Sequence, residues 1–194
     1  MKLSRLAAVL VLPVALIAAR PFPAGTPVPH VIDKAHSQIN FIADSRLISA
    51  RGHFATWDAK IALDAANLAA SSVTISIDAK SIDTRVERRD EHLRSADFFD
   101  VANHPTITFV STAVRPQAEG KLIIDGDLTI RGTTRRIAVP AEMVFYEGGM
   151  GRFRGEFVLQ RTQYGVSYDS KLNPIKDAVT VQWDIAVQNP AAAK

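Results

Sequence analysis

Five histidines, His30, His36, His53, His92 and His104, are the side chains best suited to acid–base work or metal binding. No two of them stand at the i, i+4 or H-x-H spacing that brings two imidazoles to one metal. His92 has acidic neighbours in Asp90 and Glu91, so a lipid-acting enzyme would centre on His92 and Asp90, with His36 as a second candidate. The chain contains no cysteine, which removes thiolate nucleophiles, disulfides and Cys-based zinc sites. There is no G-x-S-x-G elbow, H-E-x-x-H pair, P-loop or calcium loop. Gly149, Gly151 and Gly155 approach a dinucleotide fingerprint, but the last glycine is one residue late and the context is a turn followed by a strand. The expectation is a protein without catalytic residues, metal or cofactor.

Arginines cluster at Arg85, Arg88, Arg89 and Arg94, and guanidinium forks suit an anionic headgroup such as pyrophosphate. Glu87, Asp90 and Glu91 interleave with them, and mixed signs at this spacing are also what an ordinary solvated helix face carries. Arg89, His92 and Arg94 stand as candidate headgroup contacts. Phe98 and Phe99 follow directly, and at least one of the two must be buried.

These residues sit in the one stretch, about 85–99, with helical spacing. Thr84 followed by Glu87 has the capping-box separation, which predicts a helix over Arg85–Arg94 and then a turn through Phe98. Period-two alternation dominates elsewhere. Ala59, Ile61 and Leu63 alternate with polar neighbours, as do Val73, Ile75 and Ile77. Leu122, Ile124, Gly126, Leu128 and Ile130 share a face; Ile137 to Met143, Phe153 to Leu159 and Val179 to Val187 repeat the pattern. One wet face and one dry face per strand predicts antiparallel pairing, because parallel strands are covered on both sides. With 37–42, 50–54 and 106–111 this gives about nine strands by eye. The fold class is therefore all-β, a sandwich or a barrel, with the barrel preferred. Small inward residues, including Gly126 and Gly155, are expected to leave space inside. A filled core, as in a stress-related structural or interaction protein, gives the same alternation.

The N-terminus reads as an export leader. Lys2 and Arg5 precede an apolar run from Leu6 to Ala19, about 14 residues and shorter than the roughly 20 needed to span a bilayer. Cleavage is expected after Ala19, which places the mature protein in the periplasm or outside the cell. Residues 20–30 carry four prolines and read as a linker, 31–188 as the domain and 189–194 as a tail. Removing 1–19 leaves 21 Lys and Arg against 20 Asp and Glu, too even a balance for a nucleic-acid-binding surface.

The motifs are similar to those of the YceI-like family of lipocalin-like, polyisoprenoid-binding periplasmic proteins. The resemblance runs from Ile32 to about Gln188. It is carried by Ile32-Asp33 with His36-Ser37, Arg51-Gly52 with Phe54, Ser81-Ile82-Asp83-Thr84, and the run from Asp90 to Asp100 leading to Pro105 and Phe109. Gly126 to Thr134, Gly155 with Phe157, Arg161 and Tyr164-Gly165-Val166 complete it. Ser45-Arg46-Leu47 departs from the family, which often carries a histidine-containing segment there. The resemblance implies an extended antiparallel lipocalin-like β-barrel with a deep apolar pocket. Its ligand would be a non-covalent amphiphile with an isoprenoid or related tail, such as a quinone or polyprenyl compound. Phe41, Phe54, Phe98, Phe99, Phe109, Phe157 and Trp183 are the candidate pocket residues, and a homodimer is left open.

Overall fold

The computed structural model describes residues 26–192. The leader expected over 1–19, its cleavage point, linker residues 20–25 and the last two residues of the tail lie outside the described residues. Ten strands form a single sheet. They are β1 (Val28–Ser45), β2 (Ser49–Phe54), β3 (Trp57–Leu63), β4 (Ser72–Asp78), β5 (Ile82–Asp83), β6 (Thr106–Pro116), β7 (Lys121–Ile130), β8 (Thr133–Glu147), β9 (Met150–Gln160) and β10 (Ile175–Gln188). The helix α1 (Glu87–Arg94) lies between β5 and β6.

The strands run in the order β10-β9-β8-β7-β6-β4-β3-β1, and β1 pairs in turn with β10, so eight of them close into a ring. All pairings are antiparallel. This closure decides for a barrel over a sandwich of two layers. β2 pairs with the distal half of β1, and the two-residue β5 pairs with β2, so these strands form a flap at one end of the ring.

β1 serves two neighbours because it is kinked. Its first residues pair with β3 (His30 opposite Ile61), and its last with β2 (Phe41 opposite Gly52). Between Asp33 and Gln38 the register against β10 slips, so four residues face the single Ile185. The Asp33–Ser37 motif holds this bulge. Asp33 accepts from the Ala35 amide at 3.1 Å and pairs with His36 at 2.8 Å. The Ser37 hydroxyl donates to the Asp33 carbonyl at 2.6 Å and accepts from the Ala186 amide at 2.9 Å. Bulges of this kind re-aim a strand without giving up its ladder.

Strand β1 begins inside the segment expected to be a linker. Val28, Pro29 and His30 are paired with β3, and His30 is buried. The His30 Nδ1–H donates to the Val28 carbonyl at 2.8 Å, and Nε2 accepts from the Tyr146 hydroxyl at 3.0 Å. These bonds and the pairing with β3 tie the last residues of the expected linker into the barrel.

The inward glycines do not leave empty space. A Cβ on Gly126 would stand 2.4 Å from the Phe109 ring, and one on Gly155 would stand 2.6 Å from the Trp183 ring. Each glycine is a seat for an aromatic side chain from the neighbouring strand. Gly126→Ala is accordingly expected to lower stability by roughly 1–3 kcal/mol through overpacking. Urea unfolding checks this, with an unchanged m-value showing that the fold is kept.

Candidate functional site: an apolar cavity inside the barrel

The interior is hollow, with a cavity of about 450 Å³. Its wall is the inward half of each alternating strand: Ile75 and Ile77 of β4, Leu128 and Ile130 of β7, Phe157 and Leu159 of β9, Val181 and Trp183 of β10. Phe41, Ile75, Phe157, Val181 and Trp183 face the inside of a closed ring and yet stay only half-buried. A solid core would cover them, so the surface they retain is cavity wall. The filled-core reading does not hold. A cavity of this size falls within the roughly 300–1,000 Å³ range of small-molecule sites.

Phe41, Phe54, Phe98, Phe99, Phe109, Phe157 and Trp183 all line this cavity. Two aromatic groups gather at the end nearest α1. Phe54 lies between Phe41 and Phe99, with ring centroids 5.8 and 6.2 Å away. Phe98, His92 and Tyr168 form a second group with all three centroid distances at 4.8 or 4.9 Å. Phe98 is buried and Phe99 half-buried. The Trp183 indole N–H is buried without a hydrogen-bond partner among the described residues, so this ring contributes apolar surface.

The candidate polar contacts divide. Arg89 and His92 line the cavity; Arg94 does not. Arg94 donates to the Lys80 carbonyl at 2.9 Å and the Ile82 carbonyl at 3.0 Å, and pairs with Glu87 at 3.2 Å. It ties α1 to the chain entering it, and a fork already bonded to two carbonyls and a carboxylate has little left for a headgroup. His92 bonds to Asp97 at 2.9 Å, not to Asp90. Asp90 is buried and turns back to accept the Thr84 amide at 3.0 Å and the Thr84 hydroxyl. The expected His92–Asp90 acid–base pair is therefore absent among the described contacts.

The capping box is replaced by the same interaction. The residue before the helix is Val86, which offers no side-chain cap. Arg85 adopts φ 63°, a left-handed turn that brings Thr84 over the first turn of the helix, where Asp90 meets it. Arg89 then donates to the Thr84 hydroxyl at 2.6 Å and to its carbonyl at 2.8 Å. Thr84, Asp90 and Arg89 form a closed polar network at the cavity's end, with the Arg89 stem in the wall.

Sequence reasoning gave no role to Arg161, Tyr168, Ile48 or Asn173, all of which line the cavity. Arg161 is buried and donates to four backbone carbonyls, those of Val166 (2.7 Å), Tyr168 (2.9 Å), Ile175 (3.0 Å) and Lys176 (3.1 Å). It organises the irregular loop between β9 and β10. The place of Arg161 beside Tyr164-Gly165-Val166 among the motif residues was the one available signal. Burial pushes the neighbouring Tyr164 phenol above its ordinary value. Beside the turn of the β1–β2 hairpin, the Ser49 hydroxyl and then Lys176 hold the Asp44 carboxyl below the usual aspartate range.

Among the described residues, no group of three or more His, Asp or Glu could hold a metal ion. No helix of the described residues is long and apolar enough to cross a membrane. The lining is mostly apolar, with Arg89 and His92 among its few polar side chains.

A hollow antiparallel barrel crossed at one end by a short helix has known relatives. The YceI-like domain profile matches residues 30–187. This chain belongs to the YceI-like family. It is 37% identical over 145 residues to a UPF0312 protein of Vibrio cholerae, spanning 71% of this chain and 77% of that one. It is 35% identical over 158 residues to a UPF0312 protein of Ectopseudomonas mendocina, spanning 77% and 82%. Among solved structures, BcnA of Burkholderia cenocepacia matches with TM-score 0.76 and 25% identity, over 80% of this chain and 99% of that one. A polyisoprenoid binding domain from Saccharophagus degradans shares the fold with TM-score 0.65 at 14% identity, over 84% and 99%.

Two outcomes test the polar end of this site. Asp90→Ala is expected to cost roughly 1.5–3 kcal/mol, since it strips a charged acceptor from two Thr84 donors; urea unfolding reads this. Asp44 has a lowered folded-state pKa, so its contribution is present above the ordinary value of about 3.9 and is lost as pH falls through the lowered one. Ser49→Ala should flatten the acid side of the stability–pH curve measured from about pH 5 to about pH 2.

Proposed function

We propose that this protein is an exported carrier that sequesters a long-chain isoprenoid or related amphiphile, such as a quinone or polyprenyl compound, and does no chemistry on it. The hollow, almost wholly apolar barrel interior carries this reading. Burying each methylene of a tail contributes about 0.8 kcal/mol, so a few isoprene units supply useful affinity without a strong polar anchor. Ordering the tail offsets part of that gain. The tail would run along Phe109, Phe157 and Trp183, and the head would sit among Phe98, His92 and Arg89 beside α1.

The fold shared with a domain described as polyisoprenoid-binding supports the ligand class. The leader-like N-terminus supports export, which would place the carrier where membrane lipids are within reach. The enzyme reading loses its centre, because Asp90 is engaged by Thr84 and His92 by Asp97.

Native mass spectrometry of protein taken from an expressing cell should reveal a co-purified lipid. In titrations with quinones of increasing side-chain length, affinity should rise with each isoprene unit and level off once the cavity is full. Val181→Trp, which puts an indole into the void, should weaken the long-chain ligand at least tenfold while the barrel stays folded by circular dichroism. Apo protein that takes up none of these compounds would exclude the carrier role.

A further inference from the structure

Among the described residues, the two most exposed large apolar side chains, Leu172 and Leu47, lie together, with Ile48 beside them. Leu47 is 70% exposed, Ile48 48% and Leu172 85%. Leu47 and Ile48 sit at the tip of the β1–β2 hairpin, and Leu172 in the loop before β10. The two tips are bound together. The Arg46 amide donates to the Pro174 carbonyl at 3.0 Å, and the Leu47 amide to Asn173 Oδ1 at 2.9 Å.

Each tip presents a basic residue followed by a leucine, Arg46-Leu47 and Lys171-Leu172, all four exposed. Arg51 and Lys176 add two more exposed cations on the adjoining strands. The carboxylates flanking these residues in the chain are Asp44, Asp169 and Asp177, the last engaged by the Thr162 amide at 2.8 Å and hydroxyl at 2.9 Å. Asp44 is engaged by Lys176 at 3.1 Å, whereas Arg46, Arg51 and Lys171 have no ion pair among the described residues. The same tips form part of the cavity wall, through Ser45, Ile48, Ser170 and Asn173. Ile48 is both exposed and cavity-lining, so the void reaches the surface between these tips.

We propose that this paired rim docks the barrel on an anionic lipid bilayer with the cavity mouth facing the headgroups. The proposal rests on the carrier reading for its purpose and on the rim alone for its binding. Leu47, Leu172 and Ile48 enter the headgroup boundary, while the arginine and lysine stems lie along it with their charges on lipid phosphates. Three apolar tips are too few for firm insertion, so the basic residues carry much of the attraction. That makes the contact reversible and sensitive to salt, as a shuttle requires. A tail can then pass between bilayer and barrel without crossing water. Val31, Phe145 and Met150, also exposed, lie at the far ends of β1, β8 and β9, and none of the three lines the cavity.

Sedimentation with ligand-free vesicles tests this. Wild-type protein should bind vesicles of equal parts phosphatidylcholine and phosphatidylglycerol at least tenfold more tightly than phosphatidylcholine alone, and less tightly as salt rises. L47D/L172D and R46E/K171E should each lose at least tenfold on the mixed vesicles, while F145D/M150D binds like wild type. Rim variants that bind like wild type overturn the docking surface. Uptake of a quinone from detergent separates the two ideas, because rim variants should keep it. A wild type that takes up quinone from detergent but ignores vesicles overturns docking alone. One that docks through the rim yet takes up no quinone overturns the carrier reading and leaves the membrane contact standing.

Discussion

An empty apolar space inside a protein is unfavourable, because its lining forfeits contacts that a collapsed core would make. In this protein the continuous hydrogen-bonded ring of eight strands holds the space open, closed by the pairing of β1 with β10. A ring of about eight strands has an interior that side chains can either fill or leave open for one ligand. The ladder fixes the circumference, so the wall cannot fall inward without breaking backbone bonds. The half-exposed inward aromatics follow from that constraint.

The bulge at Asp33–Ser37 is the device that makes closure compatible with a flap. A straight β1 would have to choose between β3 and β2 along its whole length. Kinked, it pairs with β3 first and β2 afterwards, and is paired with β10 from Val31 onward. Aromatic rings laid on Gly126 and Gly155 serve the same end. Large side chains are absorbed into the wall where backbone leaves room, and the middle stays clear. The network of Thr84, Asp90 and Arg89 closes the α1 end without placing a free charge in the void.

Much of this was legible in the sequence, and the reason is physical. Period-two alternation is a direct trace of a sheet with two unlike faces, so the residues of β4, β7, β9 and β10 that line the cavity could be read off as a set. What left no local trace is what depends on distant partners. Closure joins Val31 to Gln188, and nothing near either residue announces the other. The capping box at Thr84 and Glu87 was the better local pattern, yet the left-handed turn at Arg85 gave Thr84 to Asp90 instead. Arg94 looked like a headgroup ligand because spacing shows a guanidinium but not the carbonyls of Lys80 and Ile82 that occupy it. The rule that glycines mean space failed because a vacancy on one strand is available to a ring on the next.

Of the ring's eight strands, the two that seal it come first and last along the chain. Until β10 arrives, β1 and β9 each present an unsatisfied edge, and the greasy lining lies open as a curved sheet. Long-range pairing of this kind closes slowly, and open edges invite other chains. The final fourteen-residue strand therefore governs whether the nascent protein reaches solution or aggregates, out of proportion to its length.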